Sequence, residues 1–460
     1  MARRRTPLRK RAGAGGTENG GLPALQAVPT QGATTGRYLV LFKEGAGPSG
    51  MKNLSRAVSL KFASTADFEG GAATAEAISG ADGLLFPDLG CAVVDVPPEQ
   101  LNAATVAGAG DILAIEPERV VYAIDEMPNA PLPIVSASSG LPLDYFRGYR
   151  DAVNHLCDKI LGISPDLAAE GLAQLVSETE LTWGLQATKV PASRFTGKGI
   201  RVAVLDTGID VGHPDFNGRN ITTQSFVSGQ PVQDGHGHGT HCIGTSCGPK
   251  RPGMLPRYGI AFEADIFAGK VLSNQGSGGD AGILAGIQWA VTNRCAIVSM
   301  SLGAPVQVGQ TFSQVFEQAA VRALAAGTLI IAAAGNESRR PQQMNPVGHP
   351  ANCPSIMAVA AIDRNFQIAP FSCGGLNPQG GQVDIAGPGV DVRSSWPQPA
   401  LYRTISGTSM ATPHVAGIAA LWAQSNASFR ARGLMSILVQ SARRMTLSAR
   451  DVGAGLVQAP

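Results

Sequence analysis

The chain has 460 residues, length enough for about two or three domains and a large core. Hydrophobic residues make up 44%, charged residues only 15%, and the net charge is +2. This balance excludes a disordered chain and a coat for nucleic acid. With 57 glycines and 31 prolines, many tight turns and close backbone approaches are expected. The cysteines number 7, so at least one is unpaired within the chain; none form a CxxC metal pattern, and isolated buried thiols are expected. No apolar run reaches the length of a membrane span.

Residues 1–35 read as a disordered tail. The basic residues from Arg3 to Arg11 resemble the start of a secretory signal, but no apolar stretch follows them. This does not support a secretory signal as the sequence is written; a start placed elsewhere, a cytoplasmic chain or non-classical export would each fit, and the charge reads as a solvated tail rather than a nucleic-acid or lipid site.

A small unit follows over 36–124. Strands are expected at 37–42, 83–86, 91–96, 112–117 and 120–124, with a helix over 51–62 and a second opening at Pro97–Leu101, where proline suits the first turn. The order βαββαβ predicts a ferredoxin-like α+β sandwich. Residues 125–181 read as a Pro/Ser-rich linker with helices over 144–161 and 164–178. His155 and Cys157 face different ways on such a helix and make no joint metal site.

From 182 to 460 the pattern is α/β. Apolar strands are expected over 200–205, 265–272, 296–301, 328–334 and 355–362, alternating with helices over 278–291 and 313–326. This predicts a mostly parallel sheet with helices on its faces and ligands at the carboxyl ends of its strands. Asp206, Ser301 and Asn336 all fall just past such ends.

One serine lies where backbone amides would face it. Ser409, in Gly407-Thr408-Ser409-Met410-Ala411-Thr412-Pro413-His414, precedes the apolar run Val415–Trp422 and so opens a buried helix. It could merely cap that helix. A nucleophilic serine needs a base, an acid to orient the base, and donors for an oxyanion. Asp206 offers the acid. Asp234-Gly235-His236-Gly237-His238-Gly239-Thr240-His241 offers imidazoles, which alternatively present three metal ligands in a short span. Ala332-Ala333-Ala334-Gly335-Asn336 ends an alanine-rich strand on an amide side chain.

Together with Met300-Ser301-Leu302-Gly303, these segments run in the order Asp, His, Ser that marks the subtilisin-like serine proteases. The chain resembles that family, the subtilases, and within it the proteinase K branch, over about residues 182–460. The resemblance implies Ser409 as nucleophile, His238 as general base, Asp206 as its orienting acid and Asn336 with the Ser409 N–H as the oxyanion hole, leaving Asp210 structural. Ser301, Leu302 and Gly303 would pair with an extended substrate. Ala333, Ala334, Gly335 and Gly348 would line a roomy pocket for a large apolar residue before the scissile bond, with Arg339 and Arg340 near its rim.

The unit at 36–124 resembles the family's propeptide, an intramolecular inhibitor, although the long segment after it departs from the usual layout. The implied activity is endopeptidase cleavage through an acyl-enzyme; a dedicated processing peptidase or transamidase, or a non-catalytic peptide-binding module, are the alternatives. Expected partners are protein or peptide substrates, not nucleic acid or membrane, for a monomer. No cofactor is required. Asp215 matches a family calcium ligand, but the loop at 246–253, with Lys250, Arg251 and two prolines, is a poor hard-ion site.

Overall fold

A computed structural model describes residues 33–58, 61–68, 73, 82–97, 100, 110–124 and 178–460. The expected tail before residue 33, most of the second helix of the small unit, and the linker with its two helices, His155 and Cys157 lie outside the described residues. Among those described, no helix is long and apolar enough to cross a membrane.

The small unit contains β1 (Thr34–Phe42), α1 (Gly47–Val58), β2 (Phe62–Ser64), β3 (Gly83–Phe86), β4 (Cys91–Val94) and β5 (Ile112–Ala123). Its strands lie in the order β5-β1-β4-β3-β2, and all neighbours are antiparallel except β2 with β3. Both faces of β1 are apolar because both are covered. Val40 and Phe42 pack with Met51 and Leu54 of α1, whereas Leu39 and Leu41 join the core of the larger body.

Three expectations change here. Strand β1 starts at Thr34, inside the predicted tail, and α1 sits earlier than the predicted 51–62. The two strands expected over 112–124 are one, because Pro117 falls beside a register shift in the pairing with β1 rather than at an end. The first part of β5 pairs with β1, where Tyr38 faces Pro117; the last part pairs with the larger body.

That body is built on a parallel sheet of order β14-β13-β12-β10-β6-β8-β7. The five predicted strands are its centre: β6 (Arg201–Asp206), β8 (Asp265–Lys270), β10 (Ile297–Met300), β12 (Leu329–Ala333) and β13 (Met357–Ile362). The edges, β7 (Ile221–Ser225) and β14 (Ile385–Pro388), escaped prediction. One is polar and the other carries glycine and proline, as edges tolerate.

Helices α2 (Trp183–Ala187), α3 (His238–Cys247), α4 (Asp280–Thr292), α5 (Gln314–Ala325), α6 (Thr408–Ser425), α7 (Ala431–Ser441) and α8 (Ala449–Val452) surround the sheet. The sheet's central strands and α6 are almost wholly buried, which is why they read as apolar without a polar face. Short strands β9 (Ser277–Gly279) and β11 (Leu302–Gly303) flank the cleft, and β15 (Val392–Ser395) pairs with β16 (Tyr402–Ile405).

Candidate active site

Asp206 is the last residue of β6 and is fully buried. Its Oδ1 accepts hydrogen bonds from His238 Nδ1 at 2.8 Å and from the Thr207 backbone N–H at 2.7 Å. His238 opens α3 behind Gly237, whose φ of 109° favours glycine. Gly239 follows because a Cβ there would overlap the Gly208 carbonyl. Burial pushes the His238 imidazole down, but the Asp206 charge at contact distance outweighs it, so the ring is held well above the ordinary imidazole range.

Asp234, whose role the sequence did not betray, anchors this corner. It accepts from the N–H groups of His236 at 3.0 Å, Gly237 at 2.8 Å and Thr240 at 2.9 Å, and from the Thr207 and Thr240 hydroxyls. Burial would raise its carboxyl; these donors, Gly237 first, more than offset that and hold it low.

Ser409 lies in the first turn of α6, where backbone N–H groups have no partner within the helix. Pro413 stands four residues on and has no N–H to give back to the Ser409 carbonyl. That carbonyl instead accepts from Ser301 Oγ at 2.8 Å and Cys242 Sγ at 3.5 Å. The proline thus frees one acceptor that ties the serine to both the cleft edge and the histidine helix. Cys242 also lies 3.9 Å from His238 Nδ1.

Asn336 is oriented by Thr408, another residue the sequence did not single out. Its Oδ1 accepts from the Thr408 N–H and hydroxyl, both at 2.9 Å, so Nδ2 is turned into the cleft.

The cleft holds the end of β5. Tyr122 and Ala123 pair antiparallel with Gly303 and Leu302 on one side, and Val120, Val121 and Tyr122 pair with Gly279, Gly278 and Ser277 on the other. The first edge was expected to bind a strand; the second, in a glycine-rich stretch, was missed. At the strand's end the Ile124 carbonyl accepts from Ser409 Oγ at 2.9 Å and Asn336 Nδ2 at 3.1 Å. The Ser409 hydroxyl is also within 3.1 Å of the Ser301 carbonyl. The Ile124 side chain faces Gly303. Ala333, Ala334 and Gly335 run off the end of β12, and Gly348 N–H donates to the Ala334 carbonyl at 2.9 Å.

Two more buried carboxylates of β5 cap helices of the larger body. Glu116 accepts from Ser313 Oγ and the Gln314 N–H, both at 2.6 Å, at the start of α5. Glu118 accepts from the Ala281 N–H at 2.8 Å at the start of α4. Both replace donors' lost partners and favour negative charge at the positive end of a helix.

The remaining sequence candidates have other partners. His241 Nε2 bonds the Val392 carbonyl at 3.0 Å, away from His238, and burial pushes the ring down to about 3. The three histidines therefore do not converge as metal ligands. Asp206, His238 and Cys242 do bring ligand atoms within 4.8 Å of one another, but the first two are bonded to each other and burial keeps the Cys242 thiol protonated. Asp210 accepts from Gly212 N–H, Gln233 and Gln398 N–H. Arg339 bonds the Asn336 and Ser338 carbonyls, and Arg340 pairs with Asp451. The six described cysteines are free and buried.

The residues around Asp215 do not fit calcium. Oδ1 accepts from the Gly253 N–H at 2.7 Å, and Oδ2 accepts from the phenols of Tyr258 at 2.6 Å and Tyr402 at 3.1 Å. Three donors, rather than further oxygens with lone pairs to share, surround the carboxylate.

A profile of the Subtilase family matches residues 197–455. Subtilisin Savinase of Lederbergia lenta is 40% identical over 282 residues, 60% of this chain and 96% of that protein. Alkaline elastase YaB of Bacillus sp. (strain YaB) is 39% identical over 305 residues, 65% of this chain and 75% of its own length. Subtilisin E of Bacillus subtilis (strain 168) is 40% identical over 245 residues, 52% of this chain and 60% of its own.

Proposed function

The chain belongs to the subtilase family and is a serine endopeptidase of the subtilisin type; from that premise we propose that it is made as a self-inhibited zymogen that cuts its own Ile124–Asp125 bond. One observation carries this reading: the Ile124 carbonyl oxygen is shared between the Ser409 hydroxyl and the Asn336 amide. That is the contact a scissile carbonyl makes with its nucleophile and oxyanion donor before attack.

In this reading Ser409 Oγ attacks the Ile124 carbonyl carbon while His238 takes the hydroxyl proton. Asp206 holds the ring in the tautomer with Nδ1–H and stabilises its charged form. Asn336 Nδ2 and the Ser409 N–H receive the oxyanion. The C–N bond to Asp125 breaks, and His238 passes its proton to the leaving amine. Water, deprotonated by the same ring, then releases the Ile124 carboxylate and restores Ser409.

Residues 36–124 act as the inhibitor, held by the β5 strand pairing and by the helix caps of Glu116 and Glu118. After release, the edges of Ser301–Gly303 and Ser277–Gly279 take a substrate strand in the same way. The residue before the scissile bond enters a pocket formed by Ala333, Ala334, Gly335 and Gly348. The absence of side chains at Gly303 and Gly348 supports a preference for large apolar residues there: Phe, Tyr, Leu or Met. Arg339 Nη1 is bonded to the Asn336 and Ser338 carbonyls and Arg340 to Asp451, so both are already engaged with the protein. Substrates are proteins or peptides, met by a monomer.

A serine-directed phosphonate tests the assignment. It is expected to label Ser409 stoichiometrically once the N-terminal unit has gone, and not to label a His238→Ala variant. A folded, released enzyme that resists the reagent would reject the reading.

A further inference from the structure

The strand in the cleft is held by main-chain bonds, which any extended peptide can make. Selectivity then arises only where a wall touches a side chain. With Ile124 as the first residue on the acyl side of the scissile bond, the sixth is Arg119, and it is the one charged side chain of Arg119–Ile124.

Arg119 is 7% exposed. Its backbone N–H donates to Asp280 Oδ2 at 3.0 Å, and its guanidinium reaches the same oxygen at 3.4 Å. The second guanidinium nitrogen meets Glu116 at 3.3 Å. Asp280, the first residue of α4, is fully buried, and its other oxygen accepts from His349 Nε2 at 3.0 Å. Ala304, Val306, Ser313 and Asn352 line the cavity beside the arginine.

These partners separate when the N-terminal unit leaves. Glu116 goes with it; Asp280 and His349 stay on the enzyme. Burial alone would raise the Asp280 carboxyl, but His349 and Arg119 hold it below the usual carboxylate range, while burial holds His349 below the usual imidazole range. A buried carboxylate hydrogen-bonded to an imidazole remains, in a place that lost a cation and an N–H donor together. A buried carboxylate of that kind favours a positive replacement. Guanidinium suits it better than ammonium, since the planar fork can meet Asp280 while its second arm stays solvated or bonded.

We propose that Asp280, backed by His349, is a subsite selecting arginine at the sixth residue on the acyl side of the substrate's scissile bond. The inference rests on the peptidase reading above. It would make the inhibitory strand a template for the enzyme's own long substrates, with an apolar residue at the cut and a basic one five residues upstream.

The test uses enzyme obtained from the full chain by self-processing. Its substrates are peptides of the sequence 117–124 carrying a fluorogenic amide, with Arg, citrulline or Gln at the position of Arg119. Citrulline keeps the shape of arginine and removes the charge. The expected kcat/KM for the arginine peptide exceeds those for citrulline and glutamine by about tenfold or more, the scale of one lost charge-assisted hydrogen bond. In Asp280→Asn the ratio should fall to about one, and in Asp280→Lys a glutamate at that position should become the preferred residue. The wild-type series stands by itself should either variant fail to fold. All three peptides cleaved equally would overturn the subsite and leave the peptidase reading intact. No cleavage of any of them would overturn the peptidase reading, and the subsite with it.

Discussion

Two buried aspartate–histidine pairs of nearly equal geometry lie in this molecule, and they behave in opposite ways. Asp206 and His238 are 2.8 Å apart; Asp280 and His349 are 3.0 Å apart. Burial pushes both rings toward the neutral form. At His238 the carboxylate's charge prevails and the ring is held high; at His349 burial prevails and the ring is held low. The difference lies in what else shares each carboxylate. Asp206 is hydrogen-bonded to the histidine and a backbone N–H, while the Lys270 ammonium, bonded instead to the Thr207 carbonyl and Asn274, acts on it only through its charge. Asp280 divides its charge with the Arg119 guanidinium, which also repels a proton on His349. A pair with one partner makes a base; a pair with a third, cationic partner makes a cation-binding wall.

Removing the first ring should break the comparison most severely. His238→Ala is expected to lower kcat by about 10⁶, the scale seen when a triad loses its base, measured on a short chromogenic peptide with released enzyme. A loss below a hundredfold would mean that another group takes the proton.

Asp206→Asn should cost about 10⁴ in kcat and also move the pH profile. Activity needs the neutral ring, so it rises as pH passes upward through the His238 value, which the carboxylate holds above the ordinary range. Without that charge, burial dominates and the rise should shift to lower pH. The rise should stay where it is in His349→Gln, and a shift there would show that the two pairs are coupled.

Asn336→Leu removes the proposed oxyanion donor and should reduce kcat by about 10²–10³ with little change in KM. The Thr408 contacts that orient the amide predict a smaller loss in the same direction for Thr408→Val.

The mildest expectation concerns a third aspartate, Asp215, whose oxygens are taken up by Gly253, Tyr258 and Tyr402. A chelator should leave the thermal midpoint within about 1 °C, where a filled calcium site of even modest affinity would add more. A fall of several degrees would reinstate the metal at that position.

The candidate site was legible because its residues sit on strand ends and helix starts that are local in sequence. The glycine-flanked His238, the strand end at Asp206, the alanine-rich approach to Asn336 and the helix opening at Ser409 each carry their signal within a few residues. The central strands were legible for the same reason, being apolar on both faces. The edges were not: β7 is polar, and β14 holds the Gly387-Pro388 pair that ordinarily marks a turn. Pro117 disguised β5 as two strands because the sequence cannot show that a strand changes sheets midway. Asp280 was invisible as a binding residue since its partner lies 161 positions away. Asp234 reads as a loop acid until its five donors are folded around it.

The Ile124 carbonyl is either a reacting group or a resting contact. Intact-mass measurement and N-terminal sequencing of the purified full chain, beside its Ser409→Ala variant, address that directly. The wild type should give a fragment ending at Ile124 and a new chain beginning at Asp125, while the variant stays whole. An uncut wild type, a cut at another bond, or the same cut in the variant would contradict the reacting role.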